Sequence, residues 1–585
     1  MTAPVDVPAS SREPGPSATR LRTNVVACLL IAVWAVIALR LIAVQGFSRV
    51  LSERSARRQR TFVETLPARP GDIRDRARRL LATSIRTHSL ALDPSEIDEP
   101  RRVAESLAGV LGLDADALAE RIVAAHGKRF LWVRRQLTPD EAESVAALQL
   151  PPAAWHFRVE HRRVYPQGTV ASHVLGRRDI DGVGRGGAEE AFERWLVGRD
   201  GRRTLVRDAR GFVIDVDGSQ TVEPVHGRDV RLTIDSVLQA DVERRMDELM
   251  DDCRPLAACA VVLDPRTGEV LAMASRPQLP IAPEAEGSSA KDEDLGWRNH
   301  ALSSMFEPGS TFKPFIVAAA LDQGLIARDE SFHCGFGAYR MGRRVLHDHH
   351  AYGLLSVADV LVKSSNIGMA KIGERLTNDG LYEAATAFGF GRRTGIELPG
   401  ESPGRLHPLE RWTSYSTGSI PMGQELAATP LQVAAAHAAL ANGGVLLSPH
   451  VLLQVDGPEP AYPAVVSRPV ASEETARWLV QGPLVDVVRR GTGQKAKLAG
   501  YSVFGKTGTA QKQDPETGGY SHSRHIGSFV CGAPATSPRA VVLVAVDEPT
   551  RGSSTFGGIV AAPAAADILR ATLESLQAPP SAGLP

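Results

Sequence analysis

From Val25 to Leu39 the chain reads VVACLLIAVWAVIAL without a charge, and after Arg40 the apolar character resumes over Leu41-Ile42-Ala43-Val44. The whole run reaches the ~20 residues a helix needs to cross a bilayer. Arg40, near its end, can extend its head to the interface. Ala43-Val44-Gln45-Gly46 is not an A-x-A-like cleavage site, so the pattern predicts a retained transmembrane helix over 24–46. The Pro-, Ser- and charge-rich residues 1–23 read as a disordered tail. Arg12, Arg20 and Arg22 precede the span, and Arg49, Arg54, Arg57, Arg58 and Arg60 follow it. Charge bias therefore does not set the orientation, and long domains translocate largely regardless of it.

Beyond the span, residues 47–227 mix basic helices with strand-like pieces such as Ser89-Leu90-Ala91-Leu92. A new rhythm begins at Asp229. Val230, Leu232 and Ile234 alternate as a strand, and Ser236 is placed to cap a following helix. Cys259 to Leu263 and Glu269 to Ala274 are two apolar runs split by Asp264-Pro265-Arg266-Thr267-Gly268, the pattern of a hairpin. Pro277 to Gly296 is acidic and rich in Pro and Ser, and reads as a flexible loop. Farther on, a helix is predicted over Pro430 to Asn442 and a strand over Val541 to Val546. The part from 228 to 575 thus reads as α+β, with a short tail at 576–585. No internal repeat is visible.

At 585 residues the chain is long enough for two or three domains. Its 43% hydrophobic and 23% charged residues are those of a globular protein. Lys plus Arg equals Asp plus Glu at 67 each, which gives no support for wholesale nucleic-acid binding. Cys28, Cys253, Cys259, Cys334 and Cys531 form no C-x-x-C pair and no disulfide scaffold, although Cys253 and Cys259 are near enough in sequence to pair.

Three short motifs follow one another: Ser310-Thr311-Phe312-Lys313 (S-x-x-K), Ser364-Ser365-Asn366 (S-x-N) and Lys506-Thr507-Gly508 (K-T-G). Each is common alone; the ordered trio is the signature of penicillin-binding proteins and class A β-lactamases. Glu307-Pro308-Gly309 makes a turn before an apolar helix through Phe315, Ile316 and Ala319. That places Ser310 at the helix start, where unpaired N–H groups favour developing negative charge. Lys313 stands at i+3 on the same face. Desolvation would make it a neutral base for the serine proton. Taken alone, an S-x-x-K pair is far more often an N-capping serine beside a solvated lysine. Ser364, after the helical run Ser356 to Lys363, can relay a proton towards a leaving amine, and Asn366 can hydrogen-bond a substrate amide. A polar helix cap would look the same. Lys506 and its threonines, at the end of the strand-like run Tyr501 to Gly505, offer a cation and hydroxyls to a terminal carboxylate. Gly508 lets a substrate backbone lie close; the plainer reading is a hairpin turn. The N–H groups of Ser310 and Thr509 would form an oxyanion hole, at ~3 kcal/mol per donor.

With these residues in view, the chain resembles the class B penicillin-binding proteins. Glu307 to Lys313 matches the family's E-P-G-S-T-F-K, Ser364 to Gly368 its S-S-N before I/V-G, and Gly505 to Gln511 its G-K-T-G-T-A-Q. Phe388 to Gly391, Thr394-Gly395-Ile396, Pro399-Gly400-Glu401, Thr429-Pro430-Leu431-Gln432 and Asn442-Gly443-Gly444 match further stretches. Gly71-Asp72-Ile73, Asp75-Arg76, Leu81-Ala82, Tyr165-Pro166 and Gly187-Ala188-Glu189 are similar to motifs of the family's non-catalytic pedestal. Pro70, Arg78 (where glycine is usual) and His300 depart from the pattern. The resemblance covers roughly residues 24–575.

The resemblance implies an anchor helix, an elongated pedestal domain over 47–227, and a transpeptidase domain over 228–575 with helices packed on a mainly antiparallel sheet. It implies attack by Ser310 on the penultimate carbonyl of a stem peptide ending in D-Ala-D-Ala. The last D-Ala leaves, and the amine of a neighbouring stem resolves the acyl-enzyme. Lys313, Ser364, Asn366 and Lys506 would be catalytic, and Thr507, Gly508 and Thr509 would bind substrate. β-Lactams would acylate Ser310. Neither metal nor organic cofactor is implied. The catalytic part would lie outside the cytoplasmic membrane, and the usual partners would be a SEDS-type glycosyltransferase and divisome proteins. Asp547-Glu548-Pro549, Gly557-Gly558 and Ala561-Ala562-Pro563 resemble the division-specific, FtsI-type branch; an elongation-specific role is the alternative.

His347-Asp348-His349-His350 with Cys334 imitates a metal cluster, but adjacent residues on one short loop rarely face one ion. The family's Asp-containing loop before the S-x-N helix favours a structural role. Gly182 to Gly187 lacks the lysine of a phosphate-binding loop. A hydrolase, carboxypeptidase or β-lactamase, is the rival activity. Glu374 is the nearest candidate for a deacylating glutamate, but it lies in a helix-like run at the wrong spacing. A non-enzymatic scaffold is disfavoured by the intact Ser310, Lys313, Ser364 and Lys506.

Overall fold

The apolar runs at 257–263 and 540–547 become central strands in the computed structural model, which describes residues 16–44, 61–207, 213–278, 297–514, 519–552 and 554–581. The predicted loop from Pro277 to Gly296 falls almost wholly outside the described residues, as do residues 1–15 of the expected tail and the end of the expected span at 45–46. Five strands form one antiparallel sheet in the order Val270–Arg276, Ala257–Leu263, Ala540–Asp547, Tyr520–Ala533, Phe504–Gln513. Side chains alternate across its two faces. Cys259, Val261, Leu263, Val541 and Leu543 join one core, and Ala258, Ala260, Val262, Val542 and Val544 join the other. Burial on both sides explains why these strands read as unbroken apolar runs. Helices Ser236–Cys253 and Ala562–Ser575 contribute Val242, Met246, Ile568 and Leu569 to the second core. Helices Lys313–Asp322, Asn366–Ala387 and Pro430–Ala441 contribute Phe315, Ile372 and Ala434 to the first.

The chain forms two compact units. One comprises Met1–Leu66 and Asp200–Pro224. It holds the helix Pro16–Ile42, which starts upstream of the expected span. Over Arg20–Ile42 it is long and apolar enough to cross a membrane, with mean hydropathy 2.8. The same unit has a three-stranded antiparallel sheet, with Gly201–Arg207 between Thr61–Leu66 and Val213–Val222.

The other unit, Pro67–Arg199 with Val225–Pro585, contains the five-stranded sheet and a second, mixed one. In the mixed sheet Val230–Leu232 pairs in parallel with Ile73–Arg74 and antiparallel with Leu452–Val455. The motif-like residues of the pedestal stretch have structural work. Glu189, fully buried, receives Arg163 at 2.6 Å and Arg178 at 2.8 Å, with the Tyr165 hydroxyl at 3.3 Å. Burial beside that carboxylate pushes the Tyr165 phenol up. Buried Asp75 accepts the Arg79 guanidinium at 2.9 Å and the Ser236 hydroxyl at 2.8 Å. Here the sequence expectation needs correcting. The helix at 236 is capped by Asp235, which accepts from the amides of Val237 and Leu238, while Ser236 is engaged by Asp75. Arg78, where the family usually has glycine, sits at φ 68°, a left-handed conformation that costs a residue bearing a Cβ roughly 1–2 kcal/mol. All five cysteines are free thiols.

Candidate active site

Ser310 lies on a 3-10 turn, Gly309–Phe312, that leads into the helix Lys313–Asp322, so it precedes the α-helix instead of opening it. Three residues make one turn of a 3-10 helix, which stacks positions i and i+3. Lys313 therefore comes under Ser310. Ser310 is half-buried, whereas Lys313 is wholly enclosed. The turn is fixed from several sides. Gly309 N–H donates to Gly423 C=O at 3.1 Å, and the Thr311 hydroxyl donates to Pro308 C=O at 2.7 Å. From below, the buried helix Pro430–Ala441 offers His437, whose Nε2 stands 2.9 Å from the Thr311 carbonyl oxygen. Burial holds the imidazole down at about 3, so it is neutral and Nε2 is the donor. Glu307, at the head of the turn, accepts from Tyr520 O–H at 2.8 Å and Glu425 N–H at 3.0 Å. Its carboxyl is raised by burial.

Lys313 donates to Ser364 C=O at 2.6 Å, Asn366 Oδ1 at 2.9 Å and Ser364 Oγ at 3.3 Å. Asn366 donates its amide nitrogen to His347 C=O at 3.3 Å, which fixes the orientation of the side chain. Lys506 donates to the same Ser364 Oγ at 3.0 Å. Ser364 has φ 58°, a left-handed conformation costing ~1–2 kcal/mol, and its carbonyl accepts from Lys313. Desolvation lowers the Lys313 ammonium to about 7, partly countered by Asp348. Desolvation and then the charge of Lys313 push Lys506 well below its ordinary value. Two enclosed amines around one hydroxyl form a route for a proton, since a hydroxyl both donates and accepts.

Lys506, Thr507, Gly508 and Thr509 lie inside the strand Phe504–Gln513, not at a turn beyond a strand. It is an edge strand: among the described residues nothing pairs with its other side. A peptide can therefore lie along it as an added strand. Gly508 is packed between Ser528 and the Ser310 turn, because a Cβ there would come within 2.3 Å of Ser528 Oγ, 2.9 Å of Thr311 Cγ2 and 3.0 Å of Pro308 O. Behind the strand, a Cβ on Gly557 would meet Ser528 O at 2.1 Å and Gly508 O at 2.3 Å, which explains that part of the Gly557-Gly558 pattern. The Thr507 hydroxyl is buried and shared with Thr492 at 2.7 Å. Thr509 is half-buried and accepts Gly557 N–H at 3.3 Å.

The geometry thus joins Lys313, Ser364, Asn366 and Lys506 in one hydrogen-bonded network beside the Ser310 turn. Asp348 belongs to that support. It accepts the amides of Asn366 and Ile367 and the hydroxyl of Ser365, so both its oxygens are committed to the start of the helix Asn366–Ala387. His349 packs edge-on to Phe556 and His350 on Tyr352. Among the described residues no group of His, Cys, Asp and Glu is arranged to hold a metal. Glu374, on the same helix, accepts the Tyr339 hydroxyl at 3.0 Å. His437, Thr492 and the Glu307–Tyr520 pair were not singled out in the sequence. No local spacing ties His437, Thr492 or Tyr520 to the motifs, whereas Glu307 stands three residues before Ser310.

Comparison with known proteins gives a consistent result. Residues 258–570 match the penicillin-binding protein transpeptidase domain, and residues 65–232 match the penicillin-binding protein dimerisation domain. The chain is 35% identical to a probable peptidoglycan D,D-transpeptidase PenA of Neisseria meningitidis, over 88% of this chain and 86% of that protein. It is 32% identical to the peptidoglycan D,D-transpeptidase FtsI of Escherichia coli, over 89% and 86%. A crystal structure of penicillin-binding protein 3 from Mycobacterium tuberculosis complexed with aztreonam superposes with TM-score 0.68 at 28% identity, covering 89% of this chain and 99% of that one.

Proposed function

We propose, on the premise that this chain belongs to the class B penicillin-binding proteins and is a serine peptidoglycan D,D-transpeptidase, that Ser310 is its nucleophile and that Lys313, Ser364, Asn366 and Lys506 run the proton transfers. The observation supporting this is the convergence of three distant stretches on Ser364 Oγ, with Lys506 Nζ at 3.0 Å and Lys313 Nζ at 3.3 Å. Neutral Lys313 takes the Ser310 proton as Oγ bonds to the penultimate D-Ala carbonyl carbon. The tetrahedral oxygen is held by the N–H groups of Ser310 and Thr509. As the C–N bond breaks, the Lys506–Ser364 pair passes a proton to the departing D-Ala nitrogen. The amine of a second stem then attacks the ester, the new amide forms, and Ser310 recovers its proton. Thr507, Gly508 and Thr509 seat the donor peptide along the strand edge, with Lys506 and Thr509 near its carboxylate.

A helix able to cross a membrane once, together with FtsI-type relatives, fits a single-pass membrane protein. Its substrate is extracytoplasmic, so the catalytic part faces outward. The FtsI likeness supports a septal role, with a SEDS-type glycosyltransferase and divisome proteins as partners. The test is mass spectrometry after exposure to penicillin. A stable adduct on the peptide containing Ser310, absent from Ser310→Ala, is expected. An adduct elsewhere, or one shed within seconds as by a β-lactamase, overturns the assignment.

A further inference from the structure

Beneath the nucleophile helix lies a second cleft of about 210 Å³, lined by Arg392, Arg393 and Arg468 and floored by Phe388 and Leu446. The Phe388 ring centroid is 4.8 Å from that of Phe315, two residues beyond Lys313, so an aromatic layer separates this cleft from the catalytic one. Several arginines elsewhere in this chain carry carboxylate partners, as Arg163, Arg276, Arg375 and Arg490 do. The three at the cleft form no ion pair among the described residues; Arg392 spends one nitrogen on Thr386 C=O at 2.8 Å.

The nearby acids are already used on backbone groups. Glu401 accepts Thr394 N–H and O–H, each at 2.6 Å, and Glu397 accepts Val451 N–H at 2.9 Å. Gly389, at φ 94°, lacks the Cβ that would stand 3.4 Å from Arg468 Nη2, so the guanidinium lies close over the backbone. Ser448 Oγ accepts Val466 N–H at 2.9 Å and keeps its own hydrogen to donate. The rim is therefore cationic and rich in donors, and the floor is apolar. Guanidinium forks match phosphate oxygens two at a time, and three of them suit a multiply charged anion better than a single carboxylate.

We propose that this cleft binds a phosphate or pyrophosphate ester whose apolar portion rests on Leu446 and the exposed Val466. The probe is farnesyl pyrophosphate, titrated into the full-length detergent-solubilised protein and followed by phosphorus NMR. Inorganic pyrophosphate and farnesol serve as companion probes, and each titration is repeated on protein already acylated by penicillin. Saturable binding of the pyrophosphate ester is expected, unchanged by acylation and absent for farnesol. The R393Q/R468Q variant should bind at least about tenfold more weakly, the effect of losing one set of charge-assisted contacts, and should still acylate at the native rate. If that variant loses acylation, R393Q alone, at an exposed position, carries the comparison. Tighter binding of the ester than of inorganic pyrophosphate is expected; equal affinity for the two would mean that the apolar portion contributes nothing, and would overturn the assignment to an ester. No binding, undiminished binding in the variants, or loss of binding on acylation overturns the proposal.

Discussion

The hydroxyl oxygen of Ser364 lies 3.0 Å from Nζ of Lys506, although 142 positions separate them in the chain. Ser364→Ala removes the only group that both amines share among the described residues. Penicillin acylation should slow by ~10²–10⁴, the usual contribution of a positioned proton-transfer group. Ser364→Gly should be as slow but about 1 kcal/mol more stable than the alanine variant, because glycine bears φ 58° without strain. Stopped-flow acylation and urea unfolding measure the two effects; equal stability of the variants would count against the strain.

The Lys313 ammonium is held at about 7, and only the neutral amine can accept the Ser310 proton. Acylation should therefore rise through neutrality, being about tenfold slower at pH 6 than on the plateau above pH 8. Asp348 favours the charged form of Lys313, so Asp348→Asn should move this limb to lower pH. A limb that stays put, or moves up, speaks against the coupling.

His437 holds the Thr311 carbonyl as a neutral imidazole. Its folded pKa of about 3 lies below the unfolded value near 6.5, so the unfolded chain binds the extra proton as pH falls. The stability this group contributes is complete above pH 6.5 and is lost progressively towards pH 3. Between pH 6.5 and 5 the loss is about 2 kcal/mol. His437→Phe should erase that slope, and should cost ~1–3 kcal/mol at pH 7 by orphaning the carbonyl. Denaturation across pH checks both.

At Gly557 there is no space for a methyl group between two carbonyl oxygens. Gly557→Ala should push the strand Phe504–Gln513 from its place, costing ~1–3 kcal/mol and slowing acylation. Unchanged acylation would show that the strand tolerates displacement.

Buried Glu189 is held between Arg163 and Arg178. Glu189→Ala leaves the enclosed Arg163 guanidinium without a counter-charge and Arg178 with Glu193 alone, at ~3–5 kcal/mol. A lower melting temperature is expected, with penicillin acylation intact in the protein that remains folded.

The three converging motifs were legible in the sequence because each is a local pattern; their order leaves penicillin-binding proteins and class A β-lactamases, and the longer matching stretches around them choose the former. The double-faced apolar strands were legible for the same reason. Two details were misread at element ends. Asp235 and Ser236 are both good caps, and only the position of Asp75 decides which one is used. Ser310 reads as the start of the α-helix because Glu307-Pro308-Gly309 makes a turn just before it; a 3-10 turn, Gly309–Phe312, intervenes before the helix Lys313–Asp322. His437 and Thr492 lay beyond reach, since their roles arise from helices and strands meeting in three dimensions.

Enclosure of both amines has a consequence for the chain's life before it is finished. On the ribosome, or after damage, residues 313 and 506 are ordinary solvated ammonium groups and residue 310 an ordinary alcohol. Reactivity is thus a property of the completed core, and an unfinished copy can neither consume donor peptides nor be poisoned by an antibiotic.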